Sequence, residues 1–592
     1  MIMSKNIVIT GEGIISAIGT DCSSVLNSLK ENKSGIGTMQ YLESTHKELP
    51  VGEVKLSNEE MKDMLDLKSE MISRTSLMAI LAIKQALQAA HIPAHNTQDQ
   101  SLPRIVLIAG TTVGGMDITE KHFTEMLTSD EHLSYLLSHD CGSSTEFISK
   151  YFGIFKECTT ISTACSSAAN ALILGANLLK SGEADIVIAG GSESLSVFHL
   201  NGFNSLMILD HERCRPFDAT RAGLNLGEGA AFVVMESEEF AQKRGAQPHA
   251  YLSGYGNACD AFHQTASSDN GEGAYLAMSQ ALEMAHLKSS DIQYVNAHGT
   301  GTPNNDSSET IALQRIFGTN LPLVSSTKSF TGHTTSASGS IETVICIMAI
   351  QNKFVPGNLG WKNPIPEGIL PTLGQSNVHL EHVLCNSFGF GGNDSSLIIS
   401  ANPSECPHVP TFKEGKLKVV SQVCIDSAEQ LKGINEFVKP LEARRMGKLM
   451  KASLLSSMRA LKEAGISTPD AVITGTALGC LENSEQLLLH ICQEGESMLK
   501  PTYFMQSTHN TIGSNIAIRT KCHGYNSTYT HGSDSLEWAK RDAEYLLRTG
   551  QVKNVLVGCH DESTELFNGM LERLGKAPLP SIHSVSMVLT LE

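Results

Sequence analysis

Aromatic residues make up only 5% of this 592-residue chain and charged residues only 18%, against 41% apolar residues. No low-complexity tract interrupts them. A chain so composed buries cores over most of its length, which excludes long disordered tails. Positive charge is in deficit: 44 Lys and Arg stand against 62 Asp and Glu, a net charge of −18. That balance excludes wrapping a nucleic-acid backbone or lying on an anionic membrane. No run reaches the roughly 18 apolar residues of a membrane span, and the N-terminus breaks its short apolar stretch with Gly11 and Glu12. A cytoplasmic protein with no signal peptide is expected. The 14 cysteines contain no CxxC pair, so reduced thiols are expected and no motif supports a metal.

What is present is glycine at the ends of short β-branched runs, the punctuation of an α/β protein. Strands are predicted at Asn6–Thr10, Ile105–Ala109, Asp185–Ala189, Ala231–Met235, Leu323–Ser325 and Ser396–Ile399. Amphipathic helices lie between them, one carrying Leu77, Ile80, Leu81 and Leu87 and another Ala169, Leu172, Ala176 and Leu179. Three prolines between Pro403 and Pro410 mark a domain boundary. Beyond it Ala471–Gly479 echoes Val106–Gly114, and Ser533–Ser563 echoes Ser166–Ser194, in the same order, which reads as a diverged internal repeat.

Cys165 ends a strand-like segment, Thr160–Ala164, and opens a helix. At a helix N-terminus the macrodipole and free N–H groups favour thiolate, which suits a nucleophile. His298, in Asn296-Ala-His-Gly-Thr-Gly-Thr302, and His333, at the end of Thr327-Lys-Ser-Phe-Thr-Gly-His333, lie just past strand ends, where ligands bind in open parallel sheets. Asn386–Asn393 is a glycine-rich loop whose N–H groups suit an oxyanion.

These segments, with Ile7–Gly13, Arg215–Asp218 and Leu226–Ala230, resemble in order the β-ketoacyl-ACP synthases over residues 1 to about 402. The resemblance implies a thiolase-like α/β fold: duplicated halves with mixed five-stranded sheets in αβαβα layers, here residues 1–240 and 241–402. A linker at 403–414 then leads to a third, half-thiolase-like module at 415–592. It implies decarboxylative Claisen condensation in fatty-acid, polyketide or polyene synthesis, with the acyl group on Cys165 and His298 and His333 as neutral donors. Lys328 and Glu309 match a pair that organises the site. Phe390 matches a gate, Asn393 a support for the glycine loop, and Thr300 and Thr302 contacts to the pantetheine arm. No bound cofactor is implied; the carrier is the phosphopantetheine arm of acyl carrier protein, the expected partner. Pairing as a homodimer, or as a heterodimer with a ketosynthase-like subunit, is expected through the first halves.

The chain departs from the family's Arg-Asp-Gly-Phe at Arg221-Ala-Gly-Leu224, which removes an expected ion pair and aromatic wall. Val113 falls where relatives control the acyl channel, and its size predicts medium or longer chains, or a polyene. In the module either Gly532 or Ser533 opposes Cys165, and no second-half motif follows, so it does no condensation. Its apolar sheet face requires a covering surface, supplied by the synthase, a second copy or a partner. Cys559-His560-Asp561 and the sequon Asn526-Ser-Thr528 are set aside as a metal or triad and as a glycosylation site, and Gly11-Glu-Gly13 as a dinucleotide motif. The alternatives are a non-catalytic partner resembling chain-length factors, which lack the nucleophile, and a coenzyme A thiolase, which needs a second catalytic cysteine.

Overall fold

Five β-branched runs separated by glycine turns form the first sheet of the computed structural model, which describes residues 6–69, 71–94 and 103–592. The first five residues of the N-terminal segment lie outside these. The strands are β1 (Ile7–Ser16), β2 (Ile105–Gly110), β3 (Glu157–Ile161), β4 (Ile186–Glu193) and β5 (Gly229–Ser237). Next come β6 (Ala250–Cys259), β7 (Tyr294–Asn296), β8 (Leu323–Ser325), a small pair β9 (Phe354–Val355) and β10 (Gln375–Ser376), β11 (His382–Gly389) and β12 (Asn393–Ser400). Then follow β13 (Leu417–Ile425), β14 (Ala471–Gly475), β15 (Tyr525–Tyr529), β16 (Val555–Glu562) and β17 (Ile582–Leu591).

Apart from β9 and β10, these join into one 15-stranded sheet, in the order β13-β17-β16-β14-β15-β3-β2-β4-β5-β1-β6-β12-β11-β7-β8. It holds three runs of five, and each repeats one pattern: first, fifth, fourth, second, third strand of its own unit. Within the first unit β2 runs parallel to β3 and β4, while β5 is antiparallel to β4 and β1. The sheets are therefore mixed, as the family resemblance implies, and not purely parallel.

Helices Ser167–Ser181 and Ser338–Asn352 are buried on every side over nearly their whole length. Apart from Lys180 in the first and Glu342 in the second they carry no charge, and their mostly apolar or small faces suit an inner layer between two sheets. Arg74–Ala89 and Glu272–Ala285 cover the outer faces. Gly11 and Gly13 face the first of these, and a Cβ on either would run into the carbonyl of Ala86 or Ala82. Those glycines are there for close helix–strand packing.

The third unit docks on the first edge to edge. Tyr529 of β15 sits opposite Ile161 of β3, antiparallel. The Ser162 N–H donates to the Thr528 carbonyl at 2.9 Å and the Thr530 N–H to the Thr160 carbonyl at 3.0 Å. Beside this seam Arg541 bridges Glu157 and Glu183 at 2.8 and 2.9 Å, and Phe504 packs on Phe203 at 5.1 Å between ring centroids. Of the covering surfaces expected for the module, the synthase is the one it docks on, and its own helix Ser535–Arg548 covers the sheet face, burying Trp538, Ala539, Ala543 and Leu546.

Candidate active site

One turn, used three times, sets up the site. After β3 the chain passes through Ala164 at φ 53° and a short 3-10 turn before the helix at Ser167. After His333 it passes through Thr335 at φ 42° and an equivalent turn before Ser338, and after β15 through Gly532 at φ 52° before Ser535. A left-handed residue costs a side-chain-bearing position about 1–2 kcal/mol, so its retention at Ala164 and Thr335 marks a turn fixed by its surroundings. In the first and third copies the serine that opens the helix closes the turn, Ser167 Oγ donating to the Ala164 carbonyl and Ser535 Oγ to that of Gly532, whereas Ser338 turns its hydroxyl to His333 Nδ1 and Thr334. This equivalence places Ser533, not Gly532, opposite Cys165.

Cys165, His298 and His333 come together, their donor atoms all within 4.8 Å of one another. Cys165 Sγ lies 3.1 Å from His333 Nε2, and the two imidazole rings meet edge to face at 5.2 Å. All three are buried, and they line a cavity of about 350 Å³ with Thr300, Thr302, Leu224, Phe390 and Gly391. The Thr300 and Thr302 hydroxyls are 2.8 Å apart at its wall.

The electrostatics correct one expectation. Burial pushes the Cys165 thiol up to about 12, against the lowering effect of Lys328 and of the Phe390 N–H. Desolvation of the anion thus works against the helix terminus, and the net shift is upward, toward the thiol, rather than downward. Burial, then Lys328, holds both imidazoles well below 6.5, so they are neutral. Lys328 Nζ stands 3.3 Å from His298 Nδ1. Because an ammonium only donates, Nδ1 accepts, and the proton sits on Nε2. His333 Nδ1 faces the Ser338 hydroxyl at 3.1 Å, a partner that serves either tautomer.

A second correction concerns Lys328. Its carboxylate is that of Glu342, at 2.6 Å, and not Glu309. Glu309 instead accepts from the backbone N–H groups of His298 and Gly299 at 2.9 and 2.8 Å and from Asn386. It shapes the histidine turn. Glu342 was missed, although it is the one charged residue in helix Ser338–Asn352. Ser338 was missed as well, and nothing in its surroundings in sequence singles it out.

Val113 does not line the Cys165 cavity. It borders a separate space of about 40 Å³ with Met116, Phe198 and Leu478. Phe390 lines the Cys165 cavity with its ring stacked on Phe203 at 5.6 Å. Arg221 keeps an ionic contact despite Ala222, reaching Asp306 at 3.6 Å. In the third unit Ser533 borders a larger cavity, about 590 Å³, where its hydroxyl donates to the neighbouring exposed carboxylate of Asp534 at 3.3 Å. His531 turns its Nδ1 to Thr160 and its Nε2 to Glu146, each at 3.2 Å. His560 bonds Ser584, and Asp561 caps Thr476–Leu478, so neighbouring side chains diverge. Asn526 is buried, which keeps it from glycosylation.

Comparison with known proteins agrees with this geometry. The family profile described as the β-ketoacyl synthase N-terminal domain matches residues 4–241 and again, in a second form, 421–590, and the C-terminal domain profile matches 249–362. Nodulation protein E of Rhizobium meliloti (strain 1021) is 34% identical over 407 residues, covering 67% of this chain and 99% of that relative. The 3-oxoacyl-[acyl-carrier-protein] synthase 2 of Vibrio cholerae is 31% identical over 420 residues, with the same coverage. Among solved structures, the ishigamide ketosynthase/chain length factor aligns at TM-score 0.63 and 27% identity, over 68% of this chain and 100% of that one. The PfaC keto synthase–chain length factor shares the fold over 99% of this chain and 78% of its own, at TM-score 0.80 and 17% identity. With two complementary profiles side by side, a nucleophile turn inside the first and a later segment repeating that first profile, the chain belongs to the β-ketoacyl synthase family.

Proposed function

We propose that the chain condenses an acyl group, carried on Cys165, with a malonyl unit on acyl carrier protein, releasing CO2 and giving β-ketoacyl carrier. The observation that carries this reading is the 3.1 Å approach of Cys165 Sγ to His333 Nε2, in a cavity shared with a second neutral imidazole.

In the first half-reaction the Cys165 sulfur attacks the acyl thioester. Its proton passes through His333 Nε2 to the departing pantetheine thiolate. The tetrahedral oxyanion is held by the N–H groups of Cys165 and Phe390, the latter already directed at Sγ in the resting site. In the second, malonyl carrier enters along Thr300 and Thr302. Loss of CO2 leaves an enolate whose oxygen takes hydrogen bonds from His298 Nε2–H and, once solvent exchange has moved the His333 proton from Nδ1 to Nε2 with the Ser338 hydroxyl donating to Nδ1, from His333 Nε2–H. Its carbon attacks the acyl-Cys165 carbonyl, and the sulfur leaves as thiolate. Lys328 and Glu309 act behind the histidines and Asn393 behind the loop. Chains of medium or greater length are admitted when Phe390 leaves Phe203 and opens the way toward Val113.

The units are assigned as 1–240, 241–402, a linker at 403–414 and a non-catalytic module at 415–592. The module occupies the β3 edge through which a second synthase subunit would pair, as a chain-length-factor-like partner would. Mass spectrometry of the protein after incubation with acylated carrier tests the proposal. Wild type gains the acyl mass on the Cys165 peptide, and Cys165→Ala does not. A wild type that stays unloaded by every acyl carrier offered overturns it, and loading of short acyl groups alone overturns the chain-length reading.

A further inference from the structure

Five buried asparagines, Asn170, Asn257, Asn526, Asn393 and Asn510, form a ladder where the three units meet. At its inner end Asn170 donates to Thr163 Oγ1 at 2.8 Å, two residues before Cys165. At its outer end Asn510, which belongs to the module, reaches the glycine loop. Its amide nitrogen donates to the Phe390 carbonyl at 2.8 Å and to Asn393 Oδ1 at 2.6 Å, so both hydrogens are used. Asn393 in turn donates to the Asn526 carbonyl and Oδ1, each at 3.1 Å. The loop's supporting amide is thus oriented entirely by the module.

The peptide that follows Phe390 is held at both ends. Its oxygen takes the Asn510 bond, and its N–H, that of Gly391, donates to the Gln264 carbonyl at 2.7 Å. The Gln264 side chain is braced on Asn515 of the module at 3.0 Å. Gly391, at φ 83°, has no space for a Cβ, because Ser514 of the module fills it. Fixing this peptide plane leaves the neighbouring plane little freedom. That neighbour carries the Phe390 N–H.

We infer that Asn510 is a positioning residue for the synthase half of the same chain: a module without a nucleophile sets the glycine loop, and with it the Phe390 N–H and the Phe390 ring. The inference rests on the condensation reading above. It predicts a selective defect. Acyl transfer to Cys165 needs the Phe390 N–H, whereas malonyl decarboxylation draws its enolate donors from His298 and His333. Loss of a whole oxyanion donor costs about 10²–10³-fold, and loosening one costs less.

The experiment uses the full chain with acyl and malonyl carrier protein, in wild type, Asn510→Ala and Asn510→Asp. Asn510→Asp keeps shape and volume but sets a carboxylate against two oxygens. Expected are acyl-transfer rates about 10-fold down or more in both variants, malonyl decarboxylation within about threefold of wild type, and a parallel loss at Asp and Ala. If Asn510 merely filled space, Asn510→Asp would transfer acyl groups at the wild-type rate, and that result overturns the inference. So does an equal fall in both half-reactions. A wild type that never loads Cys165 is a different outcome: it overturns the condensation reading itself.

Discussion

Lys328 and Glu342 show how one buried pair sets the state of a neighbouring ring. Burial pushes the Glu342 carboxyl up to about 7, and Lys328 opposes that rise. Removing the ammonium leaves a buried carboxylate without a cation, and breaking such a pair costs about 3–5 kcal/mol. It also removes the donor that fixes the His298 tautomer. Lys328→Ala is expected to lower malonyl decarboxylation by about 10²-fold and to drop the melting temperature. Glu342→Gln, which keeps an acceptor for the ammonium, is expected to lower decarboxylation by less than about 10-fold; steady-state CO2 release and a thermal melt read both. The pH dependence follows from the same burial. With both imidazoles held well below 6.5, a fall from pH 8 to 6 leaves them neutral, so decarboxylation should show no acid limb near 6.5. A limb there that vanishes in His298→Asn would contradict this. For folding the signs oppose. The unfolded chain protonates these histidines near 6.5 and the fold does not, so their contribution falls as pH drops through 6.5. Glu309 and Glu342 are pushed up to about 7 in the fold. They therefore contribute stability below their unfolded value, and lose it as pH rises through 7.

The recurring turn belongs to the scale of the element. Left-handed residue, short 3-10 turn and serine-led helix appear at Ala164, Thr335 and Gly532, directly after a strand in the first and third cases. A Cβ at Gly532 would meet nothing within 4 Å, so only its backbone angle resists substitution. Gly532→Ala should therefore cost about 1 kcal/mol, seen as a lower melting temperature with acyl transfer unchanged; no loss of stability would mean the third turn is not held as the first is. Of the three turns, sequence shows the first through Cys165 and the third through its repeat. The second is hidden, because Thr334–Ala337 carries no reactive side chain. Strand positions were legible because β-branched runs between glycines have few other outcomes. The Lys328–Glu342 pair was not, since its members lie 14 residues apart and meet only through the turn between them. The upward shift of the Cys165 thiol was not legible for a related reason: a helix start is visible in sequence, whereas the depth at which it is buried is not.

At the scale of the whole molecule, helix Ser535–Arg548 separates the module from a true first half. Its counterpart Ser167–Ser181 is buried on every side over nearly its whole length, with Lys180 its one charged residue. Ser535–Arg548 keeps one apolar face and puts Glu537, Lys540, Arg541, Glu544 and Arg548 on the other. The module has adapted to having no second half, and it docks on the synthase through the β15 edge on β3, the Phe504 ring and the Asn510 contacts to the glycine loop. That edge is filled within one chain, so the full protein is expected to run as a monomer of 63.7 kDa in light scattering after size exclusion. Cutting after Cys406 removes β15 from β3, uncovers the Phe203 and Phe198 side of Phe504 and takes Asn510 from the glycine loop. An unpaired strand edge beside exposed apolar surface associates. Fragment 1–406 should therefore self-associate or precipitate, and its acyl transfer should fall at least about 10-fold. A soluble monomeric fragment loading Cys165 at the full-length rate would show that the synthase half needs nothing from the module.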